Sequence, residues 1–465
     1  MVSLIEQKEF FEYEDIKANK EKRILQLKAE LERVETKMND IEQNKIYNDA
    51  FEWRFEFPEL LDDEGNFTGF DAVIGNPPYG ILNKKQNKSE SIVVPDEELE
   101  YYKENEYFAP AQGGMLNIFR LFIVKSISLL KPNGIFSQIF PLAFTGDLSI
   151  KSLRKYIFDN TQIHYIEAFP ERDDTNRRVF DEVKMSVCIL QCGKKQTSSD
   201  IPFYLCINND RSIGIEENKN ILTHNDIITL QPLYFSLPLT SPAETKLLLK
   251  IFKNSVRFIE IGSCFAGEID MTFCKSAFSD DDSKAILLKG AIIDRYLLRK
   301  KMSQGEIVYI DEDILHDLKK INTGTINNNR IVMQGITGVN EKIRIKAMIV
   351  KDVYCANSLN FITLKKTINI KYLLALLNSR LLNFIFKRFN TNSNVNGYEI
   401  NNLPIVETQD KETIKKITTL VDKIISAKQK NPSADTSSFE NEIDTIVYGL
   451  YGLNKAEVNI VKGDY

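Results

Sequence analysis

"GFDAVIGNPPYGIL", residues 69–82, is the stretch whose reading decides the fold. The run FDAVIG over residues 70–75 looks like a buried strand, and it meets Asn76 and then two prolines. Proline has no N–H to give to a sheet ladder, so the strand must stop at Asn76 and leave the sheet through a stiff loop. In open α/β sheets the carboxyl ends of strands are where ligands bind.

Downstream, helical and strand patterns alternate. "GGMLNIFRLFIVKSISLLKPNG" predicts a helix, apolar at Leu116, Phe119, Phe122, Ile123, Ile127 and Leu130 and closed by Asn133-Gly134. "IFSQIFP" predicts a strand, "SIKSLRKYIFDN" a helix capped by Ser149, and "IHYIEAF" and "VKMSVCILQC" two more strands. That alternation predicts an α/β domain with a largely parallel sheet. Upstream, Ile24, Leu27, Leu31, Val34, Met38 and Ile41 recur at helical spacing, the seam of an amphipathic helix expected to pack on the rest of the chain or on another chain. Residues 83–110 read as a polar loop.

NPPY after FDAVIG resembles the catalytic motif of amino-group DNA methyltransferases, and "FEWRFEFPEL" before it is similar to what precedes that motif in type IIG restriction–modification methylases. The resemblance implies a partial class I (Rossmann-like) sheet and transfer of a methyl group from S-adenosylmethionine to N6 of a flipped-out adenine. It implies further that Asn76, Pro77, Pro78 and Tyr79 form the catalytic loop, with Tyr79 and Phe180 on either side of the target base. The chemistry suits the letters. An exocyclic amine conjugated to a base is a poor nucleophile, and two acceptors that hold both its N–H groups favour the geometry of attack. The side-chain oxygen of Asn76 and the carbonyl of Pro77 are such acceptors, Pro78 stiffens the loop, and Tyr79 offers a face for an unstacked base. No Pro-Cys loop suited to attack on cytosine C5 occurs. The same four letters occur in enzymes that methylate glutamine side chains or RNA, and Phe180 also suits an ordinary core. Glu182-Val183-Lys184 behind Asp173 and Asp174 has nuclease-like spacing, which is common in a chain so rich in charge.

The cofactor's glycine-rich turn should precede the NPPY strand, yet residues 1–69 hold only Gly65 and Gly69. The strand at 70–75 is expected to be central, with nothing obvious to pair on one side, and an open apolar edge invites another chain. The chain is therefore expected to begin inside the domain, or to need a second chain that supplies the cofactor half. The alternative reading is a non-catalytic DNA-recognition subunit or a truncated remnant.

Residues 251–409 resemble the TaqI-like C-terminal specificity domain through "GEIDMT", "ILLKGAIIDRYLL", "NNNRIVMQGITGVNEKIRIKAMI", "YCANSLNFITL", "YLLALLNSRLLNFIFK" and "NNLPI". The resemblance implies double-stranded DNA as partner. The charge distribution agrees: the chain's net charge is −5, but residues 281–400 carry 19 Lys/Arg against 11 Asp/Glu, while residues 1–110 carry 14 against 26. Arg295, Arg330, Gln334, Arg344 and Lys346 are the candidate DNA contacts. The helix near 371–389 reads as core. The expected division is an amphipathic helical segment at 1–47, the rear half of a catalytic domain at 48–200 and a connecting region at 201–250. A mixed α+β specificity domain at 251–409 and a helical tail at 410–465 complete it. Six scattered cysteines, three histidines and no long apolar run predict a cytoplasmic protein with reduced thiols, no metal site and no membrane span.

Overall fold

The structure is a computed structural model of the chain. It describes residues 51–84, 91–194, 200–214, 216, 219–299, 307–317, 328–338, 341–390 and 393–463, with scattered positions between 20 and 43. Two compact units result, Met1–Gly69 and Phe70–Tyr465.

In the first unit the described positions from 20 to 39 are helical. The seam residues Ile24, Leu27, Leu31, Val34 and Met38 are exposed rather than packed, and Ile41 lies outside the described residues. "FEWRFEF" forms one helical turn, Trp53–Glu56, because its rings cluster locally: Trp53 lies 4.7 Å from Phe51, 5.8 Å from Phe57 and 6.1 Å from Phe67, centroid to centroid.

The second unit opens with β1 (Phe70–Gly75), followed by a short parallel pair, β2 (Ile81–Asn83) and β3 (Ser91–Val93), and helix α1 (Asp96–Glu104). The expected polar loop at 83–110 is thus partly ordered structure. Helix α2 (Ile118–Ser128) buries Phe119, Ile123, Val124 and Ile127. It stops at Ser128, short of Asn133-Gly134, because β4 (Leu130–Pro141) begins there. Asn133 takes φ of 66° at an irregularity in the β1–β4 register, and a Cβ on Gly134 would lie 2.8 Å from the carbonyl oxygen of Phe70. Helix α3 (Lys151–Asn160) follows a turn in which Asp147, not Ser149, accepts from the backbone, at 2.8 Å. Strands β5 (Thr161–Phe169), β6 (Val187–Lys194), β7 (Phe203–Ile207) and β8 (Lys219–Leu222) complete a six-stranded sheet in the order β1-β4-β6-β5-β7-β8.

Three features depart from expectation. The sheet is mixed: β1–β4 and β5–β7 are parallel, and the other three pairings are antiparallel. The link from β5 to β6 contains no helix, so β6 returns antiparallel and slots between β4 and β5. Residues 203–222 supply β7 and β8, so the supposed connecting region belongs partly to this sheet. Lastly, β1 is the edge strand, and among the described residues no strand lies on its other side. It is accordingly not buried: Ile74 is 83% exposed.

The C-terminal half is mixed α+β. Gly262–Ala266, Leu359–Leu364, Arg330–Gln334 and Ala347–Val350 form an antiparallel sheet in that order. The expected long helix is two, Ile370–Asn378 and Arg380–Phe389, divided at Ser379, whose hydroxyl caps the second by accepting from Leu382 N at 3.2 Å. Both helices are core, packed with Lys411–Lys430, Ser437–Leu450 and Lys455–Gly463. Two buried asparagines on them serve the sheet's last strand and the residues leading into it. The Asn378 amide accepts from Ala347 N and donates to Ala347 O, both at 3.0 Å, and Asn383 Oδ1 accepts from Arg344 N at 2.8 Å and Ile345 N at 2.7 Å. Among the described residues no helix is long and apolar enough to cross a membrane, and no cluster of His, Cys, Asp or Glu could hold a metal ion. All six cysteines are buried and free.

Candidate active site

At the carboxyl end of β1, Gly75 pairs with Gln138 as the last rung of the β1–β4 ladder. The prolines that follow give no N–H, so the next carbonyl on β4 needs another donor. Tyr79 is that donor: its hydroxyl lies 2.9 Å from Ile139 O and 2.7 Å from Asn76 Oδ1. One phenolic proton serves two acceptors, so the ring is anchored on β4 while the Asn76 amide is held with its oxygen toward the phenol. An amide oxygen has two lone pairs, and one stays available for a further donor. Burial, with Cys188 nearby, pushes the Tyr79 phenol far above its ordinary range, so it keeps its proton. Pro77 is buried, whereas Asn76 and Pro78 are exposed.

Behind the loop, Asn117 caps α2 by accepting from Phe119 N and also accepts from Gly80 N, each at 3.3 Å. Ile118 N donates back to Gly80 O at 2.9 Å. The loop's exit is therefore fixed to a helix N-terminus. Phe180 lies on the segment between β5 and β6, its ring centroid 6.5 Å from that of Tyr79 and tilted by 57°. The structure thus brings Asn76, Pro77, Pro78, Tyr79 and Phe180 together, with the two rings within contact range of each other.

Of the five side chains expected to meet DNA, Arg330, Gln334 and Arg344 are buried, which corrects their assignment, whereas Arg295 and Lys346 are half-buried in ion pairs. Strand Arg330–Gln334 is buried at every position. Arg330, 2% exposed, pairs with Glu268 through Nη2 at 2.8 Å and Nη1 at 3.2 Å, and Gln334 donates to Ile293 O. Arg344, 1% exposed, donates to Thr337 Oγ1 at 2.6 Å and Asn390 Oδ1 at 2.9 Å. Arg295 pairs with Glu440 and donates to Asn378 O at 2.7 Å, while Lys346 pairs with Glu341. A charge in the core is tolerated only when it is paired or hydrogen-bonded, and Arg330 is paired while Arg344 is hydrogen-bonded. Sequence reasoning missed Asn117, although an Asn just before an apolar helix is a cap signal. It also missed the Ile139 carbonyl, for which the sequence carries no sign.

The strand stopped by Asn-Pro-Pro-Tyr thus belongs to one mixed sheet, and the C-terminal half of the same compact unit builds another. Residues 3–175 match the Eco57I restriction-modification methylase family, and residues 286–405 match the TaqI-like C-terminal specificity domain. Each match covers less than half of the chain. It is 26% identical over 421 residues to a putative type II restriction enzyme and methyltransferase, RM.MjaORFECS2P, of Methanocaldococcus jannaschii, covering 86% of this chain and 32% of that protein. It is 28% identical over 223 residues to the type II methyltransferase M.HincII of Haemophilus influenzae, covering 46% of this chain and 39% of that one. The chain thus spans about a third of the length of the curated relatives it matches. Among solved structures it is similar to the type IIL restriction-modification enzyme MmeI in complex with DNA, at TM-score 0.46 and 11% identity, over 85% of this chain and 56% of that one.

Proposed function

We propose that the chain provides the target-base side and the specificity domain of a site-specific DNA methyltransferase that uses S-adenosylmethionine to methylate adenine N6 in a restriction–modification system. The observation that carries this is the Tyr79 hydroxyl held between Asn76 Oδ1 and Ile139 O, with the ring beside Phe180. On this reading Asn76 Oδ1 and the Pro77 carbonyl accept the two N–H groups of the adenine amine. Electron density is thereby directed to nitrogen, and the amine is fixed before reaction begins. The base lies on the Tyr79 face once the two rings part to admit it.

The described residues do not fit the cofactor. No glycine-rich turn joins a strand of the first sheet to a following helix, and β1, which such a cradle would flank, has an open edge. We therefore place the cofactor cradle outside the described residues, on a strand-bearing segment of the same protein or of a second chain that pairs with β1, where Ile74 stands exposed. The purified chain titrated with S-adenosylmethionine in a calorimeter is expected to give no heat of binding. Methylation of duplex DNA is expected only when a cofactor-binding segment is supplied, in the same chain or in trans. Activity confined to RNA or to glutamine side chains in that assembly would refute the DNA reading.

A further inference from the structure

The segment that carries Phe180, residues 170–186, has no strand or helix to hold it. Side chains do so. Glu171 accepts from the backbone N–H groups of Arg172 and Asp173 at 2.9 Å and of Asp174 at 3.2 Å, and Ser186 closes the base of the segment by donating to Pro170 O at 2.7 Å. Those bonds shape the ends. The part around Phe180 is held from outside by Arg211, in the turn after β7. Its Nε donates to Arg178 O at 2.8 Å and its Nη2 to Thr175 O at 3.1 Å, and Nη2 also pairs with the Asp181 carboxylate. Asp181 in turn accepts at its carbonyl from Arg178 Nη2. Next to this clamp, Arg177 Nε reaches Asn209 O at 2.9 Å.

Positions 175, 178 and 181 therefore converge on one guanidinium, and Phe180 sits between the last two. We propose that Arg211 is a positioning residue: it sets where Phe180 stands against Tyr79, and hence how a base is received, without touching the base itself. The inference rests on the base-pocket reading above. A planar guanidinium reaches two carbonyls and a carboxylate at once, whereas a lysine ammonium is a single flexible point charge. The Arg211 and Asp181 side chains are 46% and 75% exposed, so the ion pair adds little to global stability. Its effect is local, on the geometry of the segment.

The test places 4-fluorophenylalanine at position 180 of the full chain and compares wild type, Arg211→Lys, Asp181→Asn and the control Arg172→Lys. Arg172 is exposed on the same segment, and its guanidinium lies beside Asp173, at 3.9 Å. Arg211→Lys is expected to move and broaden the fluorine resonance and to weaken binding of 9-ethyladenine about tenfold, with the melting temperature unchanged. Asp181→Asn is expected to act in the same direction and more weakly, and it carries the test if Arg211→Lys fails to fold. Arg172→Lys is expected to do neither. A fluorine signal unchanged in both clamp variants overturns the proposal, as does a moved signal with 9-ethyladenine binding intact. If wild type does not bind 9-ethyladenine at all, the base-pocket reading falls instead, and the fluorine signal alone still reports whether the clamp exists.

Discussion

Removing one oxygen, in Tyr79→Phe, separates anchoring from stacking. The ring and its contact with Phe180 stay, while the 2.7 Å bond to Asn76 Oδ1 and the 2.9 Å bond to Ile139 O are lost. A neutral hydrogen bond contributes a net of about 0.5–1.5 kcal/mol, and Asn76 is exposed, so water replaces the phenol there. Stability should therefore fall by about 1 kcal/mol, a shift in melting temperature of no more than about 2–4 °C. The larger effect is on chemistry. An unanchored Asn76 amide must be oriented at the moment of reaction, which should lower kcat about tenfold, or about 1.4 kcal/mol, with KM for DNA almost unchanged. Asn76→Ala removes the acceptor outright and should cost about 10²–10³ in kcat. The assay is single-turnover transfer of radiolabelled methyl to DNA in the assembly competent for it. Because the phenol acts through Asn76, Tyr79→Phe should have little further effect in the Asn76→Ala background. Fully additive losses, or wild-type kcat in Tyr79→Phe, would refute the anchoring argument.

Arg330→Ala leaves Glu268 buried and unpaired and should cost about 3–5 kcal/mol in stability by chemical denaturation, with DNA affinity per folded molecule unchanged. Burial raises the Glu399 carboxyl above its ordinary range, against opposing hydrogen bonds from Asn396 and Asn390. The folded state thus holds that proton more tightly than the unfolded chain, so its stabilising contribution is full below the unfolded value and is lost as pH rises through the folded one. Glu399→Gln should therefore flatten the decline in melting temperature from about pH 4 upward, and an unchanged slope would count against it. Ile74→Lys, at an exposed edge position, should leave the melting temperature of the isolated chain within about 1 °C while blocking any strand added at β1, read as loss of methyl transfer when the cofactor-binding segment is supplied.

What the sequence made legible was punctuation. Two prolines after FDAVIG end β1 at Gly75, where the structure ends it. Strand direction was not legible, because VCILQC reads alike in parallel and antiparallel neighbours. Only the helix-free link of residues 170–186 decides the matter, and it looked like any polar loop. Asn133-Gly134 has the letters of a helix stop, yet the same left-handed preference serves a bulge inside β4. The buried basic picks, Arg330 and Arg344, failed for a related reason. RIVMQ places its arginine in a strand buried at every position, and the partner, Glu268, lies 62 residues away in sequence. Charge counted along a sequence cannot distinguish a cation facing water from one neutralised across a fold. Within the candidate site, side chains on the NPPY loop were readable, while the backbone carbonyl that anchors Tyr79 and the distant Arg211 were not.

The asparagines at 378 and 383 have a consequence for how such a domain changes over time. By answering main-chain groups with side-chain amides, they turn a helix pair into a counterfeit strand at the start of Ala347–Val350, so the sheet's margin is covered there from within. Loops at the sheet's ends are then free to lengthen, shorten or be exchanged without baring that part of the ladder, so change there costs little in solubility.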